Sequence, residues 1–322
     1  MTGQRGGTRI GLRDLGAAVA LLILLAVLAV LAPDFFRPSN LRDLAVSNAP
    51  AAIVAIGLTL VLLTGQVDIS VGSQFAIASV AYAVLVKAGA PAALAVLAAL
   101  ALGAVLGLLN GWLVARLGMP SVVVTLATMV VWRDAVRWYT EGAWVQGLPG
   151  GFQWFGLPQT AGEVVIVGLA VVLAGMAAYV LRSVVIGRWL LAVGSDAEAA
   201  RLSGLRPPVI VMGGFVVLGA LTALAAVLND VRFSQVPPSA GIGLELKVLA
   251  AAVVGGTLIT GGRGTVLGTM AGIALLGTLG TGLTFVGLSP FWEKAAQGAI
   301  ILIAAAVDSA RARPVRPSVS RA

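Results

Sequence analysis

The chain has 322 residues, of which 59% are hydrophobic and 11% charged, and its mean hydropathy is +1.02; a water-soluble chain of this length could not bury that much apolar surface. It contains no cysteine and no histidine, which excludes disulfides, thiolate nucleophiles, Cys/His zinc sites, imidazole acid–base chemistry and His- or Cys-ligated haem. A net charge of +8 would suggest nucleic acid in a soluble domain, but here the placement of the charges matters more than their sum.

A hydrocarbon core about 30 Å thick takes roughly 20 apolar helical residues to cross. The long apolar runs number about ten, which predicts an all-α polytopic membrane protein. In chain order they are Leu15–Leu31, Ala45–Leu63, Val71–Val86, Ala92–Val114, Ser121–Tyr139, Val164–Leu181, Val209–Leu228, Val248–Ile259, Thr265–Val286 and Lys294–Val307. The eighth is too short to span unaided, and the fifth carries Arg133, Asp134 and Arg137 in its outer half. Residues 1–14 precede the first run and 308–322 follow the last, so the transmembrane domain is 15–307. Arg5, Arg9 and Arg13 before the first run imitate a signal peptide, but no small-x-small cleavage site precedes Pro33-Asp34, and the run reads as a retained anchor. The tail from 308, rich in Pro, Ser and Arg, has the composition of a disordered cytoplasmic segment attracted to anionic headgroups.

Positive residues are retained on the cytoplasmic side. With the N-terminus inside and ten spans, both termini are cytoplasmic, 13 of the 21 Lys and Arg residues fall inside, six fall outside and two lie within the fifth span. The charge is thus a topological record.

Gly103, Gly107 and Gly111 recur every four residues, as do Gly264, Gly268 and Gly272. That spacing places each trio on one helix face, where a neighbouring backbone can approach closely, within the chain or at a subunit interface. The segment 63–78 can also be laid over 259–274 at an offset of 196, with Thr, Gly, Gly, Ile and Ala identical. In such a Gly/Ala-rich window the echo fits either duplication or coincidence.

Near the outer end of the fifth span lie Trp132, Arg133, Asp134, Arg137 and Trp138, with Asp134 and Arg137 at an i,i+3 spacing that permits pairing. Aromatics and snorkelling arginines anchor any membrane interface. The alternative is a docking surface for a solute-binding protein, comprising Arg133, Arg137, Glu141, Trp144 and Trp154.

The longest cytoplasmic connection, 182–208, contains Gly194-Ser-Asp-Ala-Glu-Ala-Ala-Arg-Leu-Ser-Gly204. Ser195 and Glu198 have capping-box spacing and Gly204 suits the left-handed C′ position, which predicts a surface helix of about eight residues. The pattern Glu198-Ala199-Ala200-x-x-x-Gly204 resembles the coupling loop of ATP-binding cassette importer permeases. Leu63–Ser73, Leu109–Ala115 with Pro120–Thr125, Gly187–Leu205 and Ala251–Thr265 resemble, in the same order, the ribose-type monosaccharide permeases, and the likeness runs from about residue 45 to 307. Within that branch the sequence looks most like permeases for rhamnose and for the autoinducer-2 sugar. Asp196 stands where ribose-type relatives commonly have Asn.

The resemblance implies a non-catalytic transport subunit of the bacterial inner membrane. Gly194, Ser195, Asp196, Glu198, Ala199, Ala200, Arg201 and Gly204 would couple it to a cytoplasmic ATPase. The other implied partners are a second permease, identical or paralogous, and a periplasmic or lipid-anchored sugar-binding protein. No Walker A motif is present, because the lysines Lys87, Lys247 and Lys294 follow Val86, Leu246 and Glu293 rather than glycine. ATP and magnesium would therefore be held by the partner and no cofactor by this chain.

A neutral sugar is recognised by paired hydroxyl donors and acceptors. Gln66, Asp68, Ser70 and Gln74, between the second and third spans, are candidates for the path or its gate, with Asn48, Asn110, Thr125 and Thr128. A carboxylate as deep as Asp68 is costly unless hydrated or hydrogen-bonded; its other reading is as a cap and dipole partner of the third span. An ion-coupled secondary transporter is the alternative function.

Overall fold

The computed structural model describes residues 14–289 and six isolated positions between 292 and 302. Its α-helices are α1 (Asp14–Leu31), α2 (Pro38–Leu63), α3 (Val71–Lys87), α4 (Ala92–Ala115), α5 (Ser121–Thr140), α6 (Gln159–Ser183), α7 (Val185–Ser195), α8 (Ala197–Leu202), α9 (Pro207–Asp230), α10 (Leu244–Val254) and α11 (Val266–Phe285). Among the described residues the one strand-like pairing is an antiparallel bridge between Val145 and Val236. The expected tenth run, Lys294–Val307, falls mostly outside the described residues, as do residues 1–13 and the tail.

Five helices, α2, α4, α6, α9 and α11, are long and apolar enough to cross a membrane. α5 has 20 residues, but every 18-residue stretch of it contains Arg133, Asp134 and Arg137. α1 and α3 are apolar and slightly shorter. The eighth run is corrected: α10 begins at Leu244 rather than Val248 and ends at Val254, and turns lead from Gly255 to α11. The apolar run continues past that point, but the Gly255-Gly256 pair ends the helix, with Gly256 at φ +88°, and a Cβ on Gly255 would overlap the Gly268 carbonyl.

α2 is the hub. Within its most apolar stretch 83% of the residues are buried, against 11% for α6, so α2 is the core helix while α6 turns Val171, Val172 and Tyr179 outward. α6, α9, α10 and α11 surround α2, while α3 packs on α9, α4 and α5. The Gly103/Gly107/Gly111 face packs within the chain. A Cβ on Gly103 would overlap the Gly219 carbonyl oxygen, one on Gly107 the Phe215 carbonyl oxygen, and one on Gly111 would lie 3.0 Å from Met212 Cα. Side-chain-free contact of this kind supplies van der Waals adhesion where apolar burial gives none. In the second trio only Gly268 and Gly272 sit on α11, against Gly255 and Ala251; Gly264 precedes the helix and faces Thr257.

The two halves of the internal echo adopt one shape, a turn containing a left-handed glycine followed by a helix. Gly65 has φ +77° and Gly261 φ +89°. The helices that follow begin at Val71 and Val266, within one residue of the 196 offset.

Candidate functional site

The turn 64–70 leaves α2 and runs through the bundle interior to α3. Non-helical backbone at such a position must find its hydrogen bonds within the protein, and the neighbouring helices supply them. Ser121 Oγ, in the first turn of α5, accepts from Val67 N–H at 3.2 Å. Thr125 Oγ1, one turn on, donates to Ser121 O at 2.8 Å and lies 3.5 Å from Val67 O.

Asp68 is 2% exposed and is the centre of a four-residue network. Its Oδ1 accepts from Ser70 N–H at 2.8 Å and from Ser70 Oγ at 2.6 Å. Its Oδ2 accepts from Gln74 Nε2 at 3.0 Å and from Asn110 Nδ2 at 3.3 Å. The same two amides also donate to Ser70 Oγ, at 2.8 and 2.9 Å. Donors from the turn, α3 and α4 thus meet one carboxylate, which is how such a group tolerates burial. Gln74 Oε1 and Asn110 Oδ1, also buried, make no hydrogen bond. They are acceptors that hydroxyl donors could satisfy. Asp68 is not the N-cap of α3; that position belongs to Ser70, whose side chain makes no capping bond.

The structure therefore brings Asp68, Ser70, Gln74 and Asn110 together, with Thr125 one layer away and Gln66 half-buried on the same turn. Asn48 lies elsewhere: its Oδ1 accepts from Lys247 Nζ at 2.9 Å, next to Gly277. Thr128 bonds only its own helix, at Val124 O. Ser121, whose hydroxyl clamps the Val67 peptide, is missing from the sequence-based set because a serine at a helix start reads only as a cap. No cluster of His, Cys, Asp and Glu suited to a metal occurs among the described residues.

The surface helix differs from its expected form. Ser195 is the last residue of α7, an unforeseen helix, and so lacks the extended backbone that an N-cap needs. Asp196, at φ −161° and ψ 102°, takes that role, and its Oδ1 accepts from Glu198 N–H at 3.0 Å and Ala199 N–H at 2.9 Å. Glu198 turns to Arg201, bonding its Nε at 3.0 Å, and the carboxylate raises the pKa of that exposed guanidinium. At the other end Leu205 N–H reaches Ala200 O at 3.1 Å and Gly204 N–H reaches Arg201 O at 3.0 Å. With Gly204 at φ +86° this is a Schellman cap, with glycine at the expected place. Ala200 faces inward. Ala197, Ala199 and Leu202 face out, Leu202 with 77% of its surface exposed, so α8 presents a small apolar knob between two charged residues. Leu202 also escaped the sequence-based set, although an apolar residue on a short polar helix marks a contact face.

At the far end of α5 the proposed docking residues divide. Arg133 turns into the bundle, where Nη1 donates to Ala240 O at 3.3 Å and Nη2 lies 3.9 Å from Glu245 Oε2. Gly72, at the start of α3, makes room for this pair; a Cβ there would overlap Glu245 and lie 3.0 Å from Arg133 Nη2. Arg137 is exposed and paired with Asp134 at 3.3 Å, as its spacing suggested. Glu141 ends α5 in the left-handed conformation. Trp144 is half exposed, while Trp154 packs on Gly162 of α6.

Residues 40–305 match the family described as "Branched-chain amino acid transport system / permease component". The chain is 35% identical to the ribose import permease protein RbsC of Escherichia coli K12, covering 96% of this chain and 98% of that protein. It is also 35% identical to RbsC of Bacillus subtilis 168, over 92% and 93% of the two chains. The autoinducer 2 import system permease protein LsrC of Salmonella typhi is 33% identical over 90% of this chain and 84% of its own length. No solved structure matches.

Proposed function

The chain belongs to the branched-chain amino acid transport system / permease component family, and from that premise we propose that it is the membrane-embedded subunit of an ATP-binding cassette importer for a monosaccharide. The observation that carries the reading is α8: a short exposed helix, capped at both ends, presents Ala197, Ala199 and Leu202 outward on the connection that resembles a coupling loop. The substrate class follows from the relatives named for ribose and autoinducer 2 import, and a rhamnose-like deoxysugar belongs to the same class. The Asp68 network suits such a cargo, since its two free amide acceptors match neutral hydroxyl groups.

In this reading ten spans cross the bacterial inner membrane with both termini in the cytoplasm. A second permease copy or paralogue completes the pathway, and a sugar-binding protein docks where Arg137, Glu141 and Trp144 are exposed. A separate ATPase holds ATP and magnesium and grips α8, whose movement switches access to the path beside Asp68. In proteoliposomes with the ATPase and binding protein, Glu198→Lys and Gly204→Pro are expected to abolish sugar-stimulated ATP hydrolysis and uptake. Unchanged activity in both variants would refute the assignment of α8.

A further inference from the structure

The turn between α10 and α11, with its run of glycines, meets two distant segments of the chain. Gly262 N–H donates to the carbonyl of Leu63, the last residue of α2, at 3.0 Å. A Cβ on Gly194, one residue from the end of α7, would overlap that same oxygen and lie 2.6 Å from Gly262 N. A Cβ on Gly261 would lie 2.6 Å from Gly65 N and 2.9 Å from Gly194 O, and one on Gly262 would lie 2.5 Å from Ser195 Oγ. Three stretches, 63–65, 194–195 and 261–262, thus touch backbone to backbone, with almost no side chain between them.

We infer that Gly194, Gly261 and Gly262 form a backbone joint through which α7 and α8 set the position of the Asp68 turn. The inference rests on the importer reading. Its physical basis is that side chains absorb small displacements by changing rotamer, whereas backbones in van der Waals contact transmit them. Gly194 lies two residues before the Asp196 cap, and Gly65 three residues before Asp68. Gly261 and Gly262 both have positive φ, so neither position accepts a side chain without strain. A shift of α8 therefore carries the end of α2 and the turn 64–70 with it, and through them the network with Gln74 and Asn110.

The test uses the cysteine-free chain, assembled with its ATPase in nanodiscs. Ile69→Cys places a single thiol beside Asp68, and its maleimide alkylation is measured with and without ATP and vanadate. Nucleotide is expected to change the rate by roughly fivefold or more, within the ordinary range of site-to-site coupling. In I69C/G194A and I69C/G262A that change is lost while the ATPase still copurifies; in I69C/G262A/S195G, where Ser195 Oγ no longer obstructs the new Cβ, part of it returns. A full nucleotide response in the G194A and G262A backgrounds would overturn the joint. An assembled complex with no response in I69C alone would overturn the importer coupling itself, and the joint with it. Should the glycine variants fail to fold, hydrogen exchange on the unmodified complex decides. The Gly262 amide stays equally protected in both nucleotide states if the joint moves as a unit, and loss of protection with ATP refutes it.

Discussion

Asp196→Ala removes the side chain that caps the N-terminus of α8. The helix has six residues, too few to be stable in isolation, so its order depends on its two caps and on the burial of Ala200. The Asp196 carboxylate accepts from Glu198 and Ala199 N–H at 3.0 and 2.9 Å, and replacing such a cap with alanine costs about 1 kcal/mol. That is about a fivefold fall in the equilibrium constant for ordering the helix. Sugar-stimulated ATP hydrolysis in proteoliposomes is therefore expected to fall in Asp196→Ala, by up to about fivefold. Asp196→Asn keeps an acceptor oxygen at the cap and should stay within about twofold of the parent. If Asn proves as damaging as Ala, the charge matters rather than the cap. If Ala has no effect, the order of α8 does not limit coupling.

Three further outcomes follow from packing and charge. Gly107→Ala drives a methyl group into the Phe215 carbonyl and should cost about 1–3 kcal/mol in detergent unfolding, whereas Gly168→Ala, with nothing within 4 Å, should be neutral or stabilising. Asp68→Leu strands donors of Ser70, Gln74 and Asn110, each worth about 1–3 kcal/mol when buried without a partner; its melting temperature should fall well below that of Asp68→Asn. Arg133→Leu leaves the Glu245 carboxylate without its cation and should cost about 3–5 kcal/mol. The double variant Arg133→Leu/Glu245→Leu should recover most of that loss, and a purely additive cycle would show that the pair is not coupled.

Much of the architecture was legible because a membrane imposes long apolar helices. The boundaries of α1, α3, α4, α5, α9 and α11 lie within two residues of the expected runs. α2 begins seven residues early, at Pro38, because polar Ser39, Asn40, Arg42 and Asp43 interrupt the apolar signal without breaking the helix. α7 was hidden inside a loop defined by its charges, and that concealment led to the wrong cap: with Ser195 inside a helix, only Asp196 is free to act as N-cap. At the interior site, residue type and depth were enough to single out Asp68, Ser70, Gln74 and Asn110. Their convergence was not, since Asn110 lies about 40 residues along the chain and meets them only when the glycine face of α4 packs on α9. Arg133 carried an interface signature in sequence, and only its contacts with Ala240 O and with Glu245 on α10 show that it points inward.

The central claim is that this chain moves a monosaccharide with energy from a partner's ATP hydrolysis. The most direct measurement is uptake of labelled pentoses and deoxyhexoses into proteoliposomes containing this chain, its ATPase and its sugar-binding protein. At least one such sugar is expected to accumulate in a manner that requires ATP and the ATPase and is indifferent to ionophores. Uptake that persists without the ATPase and collapses when an ionophore dissipates the ion gradient would contradict that claim.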